Sequence, residues 1–240
     1  MRVLFMGAHP DDCEYYCAGT LAKYAKMGHE VTIAIATNGN IGSMTAKTKD
    51  EVAQIRYKEA LDACAVIGAK LIWMGFDDEY LIDSREVRDA FIDAVREARP
   101  DVIFTTWKMS DYNPDHDING YMAFIARINA SIKLIKTKHE ATEKIPVMFF
   151  CPPTGQMEFM PDYYVNISEE METKITMWKR HKSQNEEWCG DIFGVDVLKG
   201  MIRTCEHFAY QTGSGIKYAE GFKLCKTWPI GAAEPHKLLP

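Results

Sequence analysis

Two short segments concentrate the side chains that could do chemistry. His9-Pro10-Asp11-Asp12 puts one imidazole and two carboxylates into a single tetrapeptide, and Asp111-Tyr112-Asn113-Pro114-Asp115-His116 adds two more carboxylates, an amide and a second imidazole. Imidazole nitrogen and carboxylate oxygen are ligands that a divalent ion such as zinc accepts, and a catalytic zinc takes three of them with a further position open to water. Pro10 holds the residue before it extended, so the first segment can turn His9 and one carboxylate onto a common point and keep the other carboxylate beside it. The second segment can supply a third ligand. Helix chemistry alone accounts for part of the same pattern: Asp11 followed by Glu14 has the form of a capping box, and Asn113 before Pro114 is an ordinary helix start, cap then N1 proline.

The elements around these segments decide where they sit. Arg2 to Ala8 is a short apolar run that suits a buried strand. Glu14 to Met27 carries Cys17, Leu21 and Tyr24 on one helical stripe and stops at Gly28, a C′ position. Glu30 to Thr37 is rich in β-branched residues and reads as a second strand, followed by a polar loop from Asn38 to Ser43. The alternation continues with a helix over Lys49 to Ile67, a strand at Lys70 to Met74, a helix over Arg85 to Glu97 capped by Ser84, and a strand at Asp101 to Thr105. A helix over Pro114 to Ile135 and a strand at Val147 to Phe150 follow. This pattern predicts an α/β fold, a Rossmann-like parallel sheet with helices on both faces. The C-terminal third is less regular: a strand at Tyr163 to Ile167, helices over Ser168 to Arg180 and Val195 to Ala209, and a closing strand at Ala219 to Leu224. In open parallel sheets ligands bind beyond the carboxyl ends of the strands, where strand order reverses. Both loaded segments follow strands at that end, and their joint placement favours chemistry over capping alone.

Composition removes several classes. The chain has 240 residues, within the range of one α/β domain, and a single domain over 1–240 is expected. With 28 basic and 34 acidic residues the net charge is 28 − 34 = −6, and no basic run gathers on one segment, which argues against a nucleic-acid partner. No apolar run approaches the roughly 18 residues that span a bilayer, and Met1 to Ala8 is too short for a signal-peptide core, so neither membrane nor export is expected. Seven cysteines without a C-x-x-C pair fit reduced thiols in the cytoplasm better than a disulfide framework.

The run AHPDDCEYYCAGTLAKYAKMGHEVTIAIATNG resembles the opening of the LmbE-like, or PIG-L-type, family of zinc-dependent N-deacetylases, and NPDH resembles that family's second metal motif. IRYKEALDACAVIGAK, HKSQ at His181 to Gln184 and YAEGF at Tyr218 to Phe222 are similar to further family blocks, so the likeness runs from Arg2 to Leu224. The resemblance implies that His9, Asp12 and His116 ligate zinc and that Asp11 is the general base for attack by metal-bound water. Such a division is chemically sound, since a carboxylate beside an activated water can take its proton. Asn113 stands where many relatives carry a histidine that stabilises the oxyanion. An amide can still donate a hydrogen bond there, without positive charge.

Substrate-binding candidates follow from the same comparison. Val52, Arg56, Glu59 and Ala63 share an inner helical stripe; an i, i+3 pair of Arg56 with Glu59 would contribute only about 0.2–0.5 kcal/mol, whereas the resemblance makes Arg56 a substrate contact. It likewise makes Asp78 a partner for a sugar hydroxyl, with Asn38 and Tyr112 on the same rim. Cys13 reads as a packed thiol, because a further protein ligand would close the catalytic position. His181 reads as a helix-end histidine facing the dipole and a neighbouring hydroxyl, and the remaining histidines as surface or structural groups.

The expected activity is removal of an N-acetyl group from an N-acetylhexosamine-containing or related small-molecule amide, with Zn2+ as cofactor. A metal-containing sugar-binding protein that lost turnover through Asn113 is the alternative. A Rossmann-type nucleotide binder is disfavoured, because strand one leads into His-Pro-Asp-Asp and not a G-x-G-x-x-G turn. The sequence leaves a homo-oligomer open. The pocket walls fall to the loops over Asn38 to Thr48 and Pro152 to Asp162, which carry no readable substrate code.

Overall fold

The computed structural model describes residues 1–108, 111–154, 159–188, 194, 196–232 and 234–240. Its sheet comprises β1 (Arg2–Gly7), β2 (Glu30–Thr37), β3 (Lys70–Phe76), β4 (Val102–Thr105), β5 (Val147–Phe150), β6 (Tyr163–Asn166) and β7 (Ala219–Leu224), in the order β3-β2-β1-β4-β5-β7-β6. The first five strands run parallel, while β7 pairs antiparallel with both β5 and β6. The expected α/β sheet is therefore present, extended by an antiparallel edge from the less regular C-terminal third.

The helices are α1 (Asp12–Tyr16), α2 (Ala18–Lys26), α3 (Lys49–Ile67), α4 (Arg85–Ala98), α5 (Pro114–Asn129), α6 (Met171–Trp178) and α7 (Val197–Gln211), with a π-helical turn at Ser183–Trp188 and a 3-10 turn at Pro235–Leu238. Strand residues alternate between two cores, as a pleated sheet covered on both sides requires. Val3, Phe5, Phe104 and Phe149 join Leu21, Tyr24 and Cys64 on one face, and Leu4, Met6, Ile103 and Met148 join Phe91, Val95 and Met122 on the other. Phe104 stacks on Phe149 at 5.5 Å between ring centres and meets Phe222 edge-on at 4.9 Å; truncating such a ring to alanine costs about 3–5 kcal/mol.

Several boundaries differ from the sequence reading, among them the third strand, which runs on to Phe76, and three of the differences have a clear physical reason. The first long helix is broken at Cys17 into α1 and α2. Glu220, on β7, accepts from the backbone N–H groups of Gly19 (3.0 Å) and Thr20 (2.7 Å), so a fresh helix starts on a distant carboxylate. The helix expected to reach Ile135 ends at Asn129, because the buried Arg96 guanidinium draws the carbonyls of Ala130, Ile132, Ile135 and His139 onto itself. Ser168 lies outside α6, its hydroxyl accepting from Lys217 N and Tyr218 N. The expected helix start at Val195 and the part of the Pro152 to Asp162 loop at 155–158 lie outside the described residues. Ser84 caps α4 as expected, accepting from Val87 N at 3.2 Å.

Since the chain builds β1-β2-β3 outward on one side and then crosses to β4 on the other, strand order reverses between β1 and β4. The loops after those two strands separate there and leave a crevice. Thr37 Oγ1 and Thr105 Oγ1 donate to the carbonyls of Ala8 and Met6, fixing the end of β1 from both neighbours. Gly120 lets α5 lie against the strand-four loop: a Cβ there would stand 2.5 Å from the Thr106 carbonyl oxygen.

Candidate active site at the strand-order reversal

The His-Pro-Asp-Asp turn is organised by Asp12. Its Oδ2 accepts from the backbone N–H of Ala8 (2.7 Å) and His9 (3.0 Å), which turns the side chain back over the end of β1 and leaves Oδ1 facing the crevice. From the other loop, His116 arrives on the first turn of α5. Its Nε2 lies 3.1 Å from His9 Nδ1 and 3.2 Å from Asp12 Oδ1, and His9 Nδ1 stands 4.0 Å from the same carboxylate oxygen.

Each ring is oriented from behind by a carboxylate. His9 Nε2 lies 2.9 Å from Asp78 Oδ1 and 3.5 Å from Asp115 Oδ2, and His116 Nδ1 lies 3.1 Å from Asp111 Oδ2. Asp111 also accepts from Thr154 N, and Asp115 from the N–H groups of Glu79 and Leu81, so these orienting groups are themselves held. Carboxylate-backed imidazoles are the usual support of metal ligands.

The three forward-facing atoms fit a divalent ion. Ligands about 2.0–2.2 Å from a tetrahedral zinc are separated by roughly 3.3–3.5 Å, close to two of the three distances found, and all ligand atoms of the His9, Asp12 and His116 group lie within 4.8 Å of one another. A second group within that limit, His9, Asp78 and Glu79, brings only one imidazole.

Electrostatics follow from this packing. Burial works against protonation of His9, but the Asp115 and Asp78 carboxylates outweigh it and push its pKa up to about 9. His116 is raised against the same opposition by Asp12 and Asp111. Burial alone would raise Asp12, yet His116 and His9 hold it well below the usual carboxylate range. Asp11 goes the other way. Its enclosed surroundings push its carboxyl up to about 6, with Arg56 pulling in the opposite sense.

Of the residues singled out from the sequence, His9, Asp11, Asp12, Arg56, Asp78, Tyr112, Asn113 and His116 all line one cavity of about 720 Å³. Arg56 is buried on the inner face of α3, as its stripe predicted, but does not pair with Glu59. Its guanidinium donates to the carbonyls of Pro10 (2.9 Å) and Gly39 (3.1 Å) and lies 3.4 Å from Asp11 Oδ2, while Glu59 accepts from Ser183. A Cβ on Gly39, whose φ is 64°, would stand 2.3 Å from that guanidinium. Asp78 is occupied by His9 and Arg56. Asn113 realises the cap reading: Oδ1 accepts from Asp115 N at 2.8 Å, while Nδ2 donates to Glu79 Oε1 at 2.7 Å.

Other readings are corrected. Asp11 makes no side-chain cap bond and sits at φ 138°, an uncommon conformation for a non-glycine residue. Glu14 does not reach back to the helix start; its Oε2 lies 3.3 Å from Nε2 of the buried His181, which is therefore a paired core histidine and not a helix-end group. Asn38 does not line the cavity; its side chain braces the loop through Asn40 N and the Gly75 carbonyl. Cys13 is a buried thiol, its pKa pushed up by burial.

Sequence reasoning missed Asn40, whose Oδ1 accepts from Asp78 N, and also Glu79, Thr154 and the aromatic walls Tyr15, Tyr16 and Trp178. Asn40 could have been found in the Asn-Gly-Asn turn after β2; the rest gave no local signal. Among the described residues no helix is long and apolar enough to cross a membrane.

A doubly wound α/β sheet with a His-Asp-His cluster and a neighbouring carboxylate at its switch point defines the class. The model of the GlcNAc-PI de-N-acetylase (PIG-L) family matches residues 4–126, and the chain belongs to this family, whose deacetylases are hydrolases of carbon–nitrogen amide bonds. The chain is 27% identical to the diacetylchitobiose deacetylase of Thermococcus kodakarensis, over 93% of this chain and 82% of that protein. It is 32% identical to a probable N-acetyl-alpha-D-glucosaminyl L-malate deacetylase 2 of Bacillus cereus, over 79% and 86%. A 4-oxalmesaconate hydratase of Pseudomonas putida is 23% identical, over 92% and 87%. Among solved structures, the N,N'-diacetylchitobiose deacetylase of Pyrococcus horikoshii superposes with a TM-score of 0.80 at 25% identity, over 92% of this chain and 82% of the other.

Proposed function

We propose that this chain is a zinc-dependent deacetylase that hydrolyses the acetamido group of an N-acetylhexosamine-containing or related small molecule. We read residues 1–240 as one such domain, working in the cytoplasm. The observation that carries this reading is the convergence of His9 Nδ1, Asp12 Oδ1 and His116 Nε2, with Asp11 beside them and unused as a helix cap.

Those three residues would hold the ion, which when bound supplies Lewis-acid chemistry to a water and a carbonyl. Asp11 accepts a proton from the attacking water and returns it to the amine nitrogen as the carbon–nitrogen bond breaks, leaving acetate and a free amine. A carboxyl raised by burial, as Asp11 is, is suited to both roles. Arg56 keeps Asp11 in position. Asn113 has two N–H donors on Nδ2; one is given to Glu79, and the other is offered to the developing oxyanion. Tyr112, Tyr15 and Trp178 supply flat apolar walls of the kind that bury a sugar ring.

The hydratase relative marks a second chemistry on this fold. A carboxylate-rich substrate needs cations to receive it, and the only lysine or arginine among the described lining residues is Arg56, already spent on carbonyls and carboxylates. This favours the amide. The experiment is to load the purified chain with zinc and measure metal content together with amine release from a panel of N-acetylated sugars. Zinc and sugar binding without amine release from any member would favour the binding-protein alternative.

A further inference from the structure

Among the described residues five carboxylates line the cavity, and four have a cationic or imidazole partner within 4.0 Å. Asp12 faces His116, Asp78 faces His9 and Arg56, Asp11 faces Arg56, and Asp196 lies 3.1 Å from Lys199. Glu79 differs. Its one described side-chain hydrogen bond comes from a neutral amide, at 2.7 Å from Asn113 Nδ2 to Oε1. The carboxylate is nonetheless held in place. Its backbone sits at φ 65°, an uncommon conformation outside glycine, and is fixed there by Asp115, which accepts from Glu79 N at 2.8 Å. Asn113 cannot turn its amide over to release Glu79 without giving up the cap bond to Asp115 N. An exposed carboxylate, held by an amide and without an ion pair within 4.0 Å among the described residues, therefore stands on the cavity wall beside the reacting residues, within 4.8 Å of a His9 nitrogen.

We infer that Glu79 determines substrate specificity: it accepts hydrogen bonds from hydroxyl or ammonium groups next to the reacting amide and turns away sugars that carry phosphate or carboxylate there. The inference rests on the deacetylase reading and narrows it to uncharged or cationic N-acetylamino sugars. The physical basis is that like charges brought together at the cavity wall are disfavoured, and no free lysine or arginine on the described wall offsets the repulsion.

The test compares kcat/KM for methyl N-acetyl-β-glucosaminide with N-acetylglucosamine 1-phosphate and 6-phosphate, on the zinc-loaded parent and on Glu79→Gln, which keeps an oxygen for Asn113. The parent should prefer the methyl glycoside by about tenfold or more, and Glu79→Gln should shrink that preference several-fold through KM for the phosphates. Added salt should narrow the parent's preference as well. Equal or better turnover of the phosphates by the parent, or a preference that Glu79→Gln leaves untouched, overturns the inference. If no sugar is deacetylated, the deacetylase reading fails and Glu79 is judged by calorimetry with methyl glucosaminide and glucosamine 6-phosphate on the same two proteins. Tighter binding of the methyl glycoside, weakened in its advantage by Glu79→Gln, supports the assignment; the reverse order, or binding of neither, counts against it.

Discussion

Arg56 Nη2 lies 3.4 Å from Asp11 Oδ2, and the same guanidinium is pinned by the carbonyls of Pro10 and Gly39. A long, buried cation on α3 thereby ties the turn after β1 to the loop after β2, and it does so at the residue assigned as base. Substituting Arg56→Met should leave zinc content near the parent's, since no ligand is touched, and lower kcat by about 10² or more, in keeping with misplacement of a general base. Parent-like kcat in a folded Arg56→Met protein would remove the positioning role.

His116 reaches the site from the second loop, and its ring is backed by Asp111. His116→Ala should lower zinc stoichiometry while the melting temperature of the metal-free protein stays close to the parent's. Asp111→Asn should weaken zinc affinity about 10- to 100-fold, the usual effect of losing a group that orients a ligand. Full zinc occupancy in His116→Ala, measured by elemental analysis after dialysis, would reject His116 as a ligand.

Asn113 is a cap with a donor left over, so its variants separate stability from rate. Asn113→Ala should cost about 1 kcal/mol of stability from the lost cap and, if the remaining N–H serves the oxyanion, about 10² or more in kcat. Asn113→Asp keeps a capping oxygen but removes the donor and sets a charge against Glu79; it should fall in rate as well. A loss of stability without any loss of rate at a temperature where the protein is folded would confine Asn113 to capping.

Lys174 and Glu220 form a fully buried pair at 2.6 Å, and Glu220 also receives the start of α2. Removing one charge, as in Glu220→Gln, should cost about 3–5 kcal/mol. Lys174→Met with Glu220→Leu should recover part of this but not the two N–H bonds at Gly19 and Thr20. Burial works against the Lys174 charge, and Glu220 outweighs it, so the folded-state pKa lies above the ordinary 10.5. The stabilisation is therefore complete below pH 10.5 and is lost as pH rises through the folded value. Thermal melts from pH 7 to pH 10 should show a constant gap between parent and Lys174→Met; a gap that closes near neutrality would contradict the pairing.

The sequence was most legible where function is local. His-Pro-Asp-Asp and Asn-Pro-Asp-His each carry their chemistry within a few residues, and the alternation of strands and helices put both at the carboxyl ends of strands. The inner placement of Arg56 was readable from the period of α3, though not its partners. What could not be read depends on distant contacts. The break at Cys17 is made by Glu220, two hundred residues away, and the early end of α5 by Arg96 on another helix. Glu79 and Trp178 join the cavity only through the folding of segments with no chemical pattern of their own. The capping-box alternative for Asp11 and Glu14 is not realised, because Glu14 pairs with His181.

The central claim is that Asp11 is the base at a zinc site formed by its neighbours, and Asp11→Asn tests it most directly. The amide fills the same space but accepts no proton, so parent and variant alike should bind about one zinc per chain, while amine release from a sugar the parent deacetylates falls by about 10² to 10⁴. Amine release at the parent's rate, with zinc bound, would contradict the account.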